Sequence, residues 1–157
     1  EYRRSSDLWS QAMGELRRAL ADNPENVLAW QALAQEYAAM GPSALEQRLE
    51  ALTRAIGILS GNPATGRLHA ERGEALLQLG RIEEAEVAAR KALRLDGELL
   101  LPRYVLAAVA ERRGNWAEAR EHLRVILARL EPGDPRIPTV RKNLDNVEQR
   151  LRSERSR

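Results

Sequence analysis

Three pairs of residues constrain what this chain can fold into: Gly80 and Gly114, Ala85 and Ala119, and Leu93 and Leu127 each stand 34 positions apart. A period of about 20–50 residues marks a stack of small units, each unable to bury its apolar face alone, and this one suits a helix, a turn and a second helix. Upstream, Trp30, Leu33, Ala34 and Tyr37 fall on one face of a helix that ends at Gly41. Composition supports helices. With 43% hydrophobic residues, 4% aromatic residues and no Phe, the core is built from Ala, Leu, Ile and Val, which suits close-packed helices better than a β-sandwich.

The predicted organisation is one domain over residues 1–157: a half repeat (7–24), an irregular repeat (27–63), two regular repeats (66–99 and 100–133), a capping helix (135–152) and a tail (153–157). Gly41 precedes Gly80 by 39 residues, five more than the period, which lengthens the second helix or the loops of the irregular repeat. Pro42-Ser43 with Glu46 predicts a capping box, and Asn115 with Glu118 predicts another. Asn62-Pro63 places a cap residue before a proline at the first helical position. Val140, Leu144, Val147 and Leu151 give the last helix an apolar stripe, and its charged remainder closes the end of the stack.

These features resemble the tetratricopeptide-repeat family over about residues 7–131. The resemblance implies an all-α, right-handed α-solenoid of about eight helices with a C-terminal capping helix. It also implies a concave groove, lined by the first helix of each repeat, that binds a protein or peptide. In the phase set by Trp30 and the glycines, the groove residues are Leu28, Gln31, Gln35 and Ala38, then Arg67, Glu71, Glu74 and Gln78, then Leu101, Tyr104, Val105 and Ala108. Chaperone-binding members of the family clamp a peptide carboxylate with Lys, Asn and Arg. Gln31, Gln35, Glu71, Leu101 and Val105 stand in those places, so no clamp is expected. A half-apolar groove with Glu71 and Glu74 on one helix face and Tyr104 on the next suits an amphipathic segment carrying basic residues.

Within the family, Leu16–Tyr37, the irregular repeat and the run from Gly114 through Ala119 to Leu130–Pro135 are similar to the soluble domain of bacterial cytochrome c biogenesis proteins. That resemblance implies a periplasmic domain holding apocytochrome c or a maturation partner. The alternatives are a scaffold of another envelope, secretion or exopolysaccharide assembly, and a docking appendage of an enzyme elsewhere in the parent chain.

Catalytic chemistry is not expected. His69-Ala70-Glu71 resembles half of a zinc deaminase motif, but the Cys-x-x-Cys half is impossible in a chain with no cysteine. The lack of cysteine also removes disulfides and leaves the compartment open. His122 is the other histidine, and no His-Glu-x-x-His helix or glycine-rich phosphate loop occurs. The chain is therefore read as a non-enzyme without cofactor. Net charge is +2, with seven basic and three acidic residues over 136–157. That stretch is read as a solvated helix face, with no nucleic-acid partner. No apolar run approaches the ~18 residues of a membrane span. The opening at Glu1 reads as a piece of a longer protein, and membrane contact is expected only through other parts of that parent.

Overall fold

The computed structural model describes residues 2–155, and the side chains of residues 7–154. Among the described residues there are eight α-helices and no strand: α1 (Tyr2–Asp22), α2 (Val27–Met40), α3 (Leu45–Ile58), α4 (Gly66–Gln78), α5 (Ile82–Leu95), α6 (Leu101–Arg112), α7 (Trp116–Arg129) and α8 (Ile137–Arg155). Successive helices pack on one another along the whole chain, and the first helices α4 and α6 also touch directly. The result is the expected all-α right-handed solenoid, with α2–α3, α4–α5 and α6–α7 as its pairs, α1 packed at one end and α8 at the other.

Three apolar clusters follow the stack. Met13, Leu33, Leu52 and Leu68 anchor the first, Leu76, Ala85, Ala89 and Leu106 the second, and Leu123, Ile126, Val140 and Val147 the third. The central pair closes most tightly. A Cβ on Gly73 of α4 would lie 3.3 Å from both the Ala85 carbonyl oxygen and the Ala89 nitrogen of α5, both backbone atoms that cannot move aside cheaply. Glycine here offsets its propensity cost of about 1 kcal/mol in a helix by letting the two backbones meet.

The turns explain the period. Gly80 and Gly114 adopt φ of 77° and 71°. After α4, the Arg81 N–H donates to the Leu76 carbonyl (2.9 Å) and Gly80 to Leu77 (3.1 Å); after α6, Asn115 donates to Ala110 (2.8 Å) and Gly114 to Glu111 (3.0 Å). Both repeats thus end their first helix with the same glycine-dependent motif. The Asn115 carboxamide then accepts from the Glu118 N–H at 3.3 Å and donates to its carboxylate at 2.7 Å. Asn62 likewise accepts from Ala64 at 2.8 Å, beside Pro63.

The irregular repeat departs from expectation in one detail. Its capping box does not form, because Gly41–Ala44 continues as a 3₁₀ turn before α3. Ser43 donates to the Met40 carbonyl at 3.5 Å, and α3 starts after Ala44 without a side-chain cap. The second helices α3, α5 and α7 all contain 14 residues, so the additional residues lie mainly in the connections, including a second 3₁₀ turn at Pro63–Thr65, with one more in α4, which has 13 residues against 12 in α6. At the ends, α1 begins ahead of residue 7, and α8 runs through the first part of the expected tail to Arg155. Residues 156 and 157 lie outside the described residues.

Trp30 donates from Nε1 to the Pro24 carbonyl at 2.9 Å, fixing the entry to α2. His69 sits in the core at 4% exposure with Nδ1 unpartnered, and burial, with Lys91 and Arg72 nearby, lowers its pKa from 6.5 to about 4. The unfolded chain binds this proton more readily than the folded one. Stability is therefore full above about pH 6.5 and falls as pH drops towards about 4. Urea titrations across that window should show the fall, and His69→Gln should flatten it. Gly73→Leu should destabilise the domain by about 3 kcal/mol through overpacking, whereas Gln78→Ala at an exposed position should stay within about 0.5 kcal/mol of the parent in the same measurement.

Candidate functional site

The open row on the first helices largely follows the expected phase. On α2, Leu28 is 76% exposed, Gln35 and Ala38 are exposed and Gln31 is half-buried. On α4, Arg67 and Gln78 are exposed at the two ends, with Glu71 and Glu74 half-buried between them. On α6, Leu101, Tyr104 and Ala108 are half-buried. Val105 is a correction. It is 1% exposed and belongs to the central cluster with Leu49, Leu76 and Ala89, because one residue beyond Tyr104 turns about 100° towards α4 and α5. The open row of α6 continues instead to Glu111, three residues after Ala108.

Between the end of α2 and the end of α4 lies a cleft of about 600 Å³, lined by Ala38, Gly41, Pro42, Leu45, Arg48, Glu74 and Gln78. The lengthened turn Gly41–Ala44 supplies one wall. Arg48 of α3 forms the base: it is 8% exposed, its Nη2 donates to Glu74 Oε2 at 2.8 Å, and its Nε is buried without a partner. Glu71 accepts from Arg67 Nε at 3.1 Å.

Both carboxylates expected to give the groove a negative floor are thus neutralised by arginines of this chain. Tyr104 does not complete that floor; it packs in the C-terminal cluster, its hydroxyl buried without a partner. Burial raises its pKa, with Arg136 and Asp134 as the nearby charges. The groove carboxylate that keeps no side-chain partner among the described residues is Glu111, and burial pushes its pKa up.

Sequence reasoning missed Arg48, Leu45 and Pro42 because it drew the groove from first helices alone. A signal was present. Leu45, Arg48, Leu49 and Leu52 share one helical face, and a charge within an apolar stripe marks a buried ion pair. Among the described residues, no three His, Asp or Glu side chains gather as a metal site, and no helix is long and apolar enough to cross a membrane.

Residues 66–99, the α4–α5 unit, match the family described as Tetratricopeptide repeat. The fold agrees over nearly the whole chain. The crystal structure of the MamA protein superposes with a TM-score of 0.72 at 18% identity, covering 96% of this chain and 83% of that chain. A second MamA crystal structure gives 0.71 at 16% identity, covering 99% and 96%. TTC0263, a thermophilic TPR protein of Thermus thermophilus, gives 0.65 at 23% identity, covering 92% and 75%. No curated protein matches the chain. Residues 66–99 are a tetratricopeptide repeat, and the chain as a whole has the tetratricopeptide-repeat fold.

Removing one partner of a buried pair leaves the other charge desolvated. Glu74→Ala should therefore destabilise the domain by about 3 kcal/mol, whereas Glu71→Ala, whose partner Arg67 is exposed, should cost under about 1 kcal/mol in chemical denaturation.

Proposed function

We propose that this chain is a non-catalytic scaffold that holds a segment of another protein in the groove along α2, α4 and α6. The observation that carries the reading is the cleft of about 600 Å³ between α2 and α4, walled by Ala38, Pro42 and Leu45 and floored by the Arg48–Glu74 pair. Its apolar wall accepts an apolar side chain, and Gln31, Gln35 and Gln78 along the same row supply carboxamides for a peptide backbone. The proposed ligand class is an amphipathic segment with basic residues. Its apolar anchors set residence time, and basic residues that stay at the rim of the groove add mainly to the rate of encounter.

The terminal helix of a c-type apocytochrome is the first natural segment to test, on the strength of the sequence resemblance; a component of another envelope or secretion assembly is the next. Affinities on the order of micromolar are expected. Ala38→Arg combined with Gln78→Arg fills the cleft from two exposed positions and should weaken binding roughly tenfold with little change in melting temperature. Val87→Asp, at a 66% exposed position of α5, should leave binding unchanged. Titration calorimetry of the two variants decides the matter: equal affinities would move the binding surface off this groove.

A further inference from the structure

A second cleft of about 600 Å³ lies at the other end of the groove, between α6, the start of α7 and α8. Glu111 lines it from α6, Trp116 from α7, and Asn146, Gln149 and Arg150 from α8. Most charged groups around it are already engaged. The Trp116 indole N–H donates to Glu154 at 2.9 Å, and the Arg150 guanidinium lies 5.8 Å from the Trp116 ring centroid. On α6, Arg112 donates to the Leu77 carbonyl at 3.1 Å, and its neighbour Arg113 pairs with Glu83 and Glu86 of α5.

Glu111 stands apart. It is half-buried, opens into the cleft and has no hydrogen-bond or ion-pair partner among the described residues. A carboxylate in that position has lost part of its hydration without a partner to compensate, and burial raises its pKa accordingly.

We propose that this cleft anchors a basic side chain of the bound protein, with an arginine guanidinium preferred. The inference rests on the groove reading above and assigns its basic specificity to Glu111 in place of the paired Glu71 and Glu74. A planar guanidinium can donate two parallel N–H bonds to the Glu111 carboxylate, and Asn146 and Gln149 in the same lining offer carboxamides within the cleft for its remaining N–H groups. Lysine offers the charge without the fork and binds less well. Arg150 stays on the Trp116 ring, and Glu154 on the same indole offsets its charge towards the incoming cation. An acidic side chain or a chain-terminal carboxylate is repelled by Glu111.

The test uses n-propylguanidinium at millimolar concentration, with neutral n-propylurea as control, and follows the three indole N–H resonances by NMR. A saturable shift of the Trp116 signal with Trp9 and Trp30 unmoved is expected. It should be absent with propylurea and absent in Glu111→Gln, whose melting temperature should match the parent. No shift, or the same shift with propylurea or in Glu111→Gln, overturns the anchor.

A peptide pair then links the cleft to the groove. Replacing one arginine of an amphipathic peptide by citrulline should weaken binding about tenfold to the parent and under twofold to Glu111→Gln. Equal affinities of both peptides for the parent overturn the anchor and leave groove binding standing. A guanidinium that binds where no peptide does overturns groove binding and leaves the anchor standing.

Discussion

The close approach of α4 and α5 at Gly73 sets the geometry on which the rest of the solenoid is built. With no side chain between them, the two backbones approach so closely that a Cβ on Gly73 would crowd the backbone of Ala85 and Ala89, and Ala85, Ala88 and Ala89 on α5 complete a seam of small residues. That seam brings α5 close enough to share one apolar cluster with Val105, Leu106 and Val109 of α6. In a repeat stack each unit touches only its neighbours, so an error in one crossing propagates along the array. The orientation of the row Arg67–Gln78 relative to Leu101–Glu111 therefore depends on a side chain missing at one position as well as on the direct contact of α4 with α6.

The charges on the groove divide into two kinds. Arg67–Glu71 and Arg48–Glu74 are satisfied within the chain and contribute shape more than field. Glu111 is held half-buried with no hydrogen-bond or ion-pair partner among the described residues. Long-range attraction falls off over a Debye length of about 8 Å at physiological salt, whereas a contact made inside a cleft is screened much less. Under the proposed function, discrimination between basic and acidic ligands belongs to one end of the groove, and apolar contact to the cleft between α2 and α4 at the other.

Much of the fold is legible in the chain. The 34-residue period, the glycines at 80 and 114 and the asparagine caps at 62 and 115 all act through local backbone geometry, which sequence encodes directly. The turn after Gly41 is misleading because Ser43 and Glu46 have capping-box spacing, and only the path of the inserted residues shows that the helix starts too late to use it. The exposed face of the first helices is legible to within one residue of phase: Tyr104 is half-buried on that face and Val105 is buried behind it. Partnership is not legible. Arg48 and Glu74 are 26 positions apart, and no local pattern couples them.

That pair also gives the first full repeat a different kind of attachment from the rest. The second and third repeats adhere through alanine, valine and leucine with exposed arginines pairing across the surface of the junction (Arg113 with Glu83 and Glu86, Arg90 with Glu118), while the junction between α3 and α4 sets the buried guanidinium of Arg48 against Glu74 beside the packing of Leu49 and Leu76. Hydration of charged groups weakens as temperature rises, so the cost of burying such a pair shrinks, whereas apolar adhesion per unit area levels off. The junctions of one short array therefore respond differently to heat, and warming favours the one that holds the buried guanidinium relative to its neighbours.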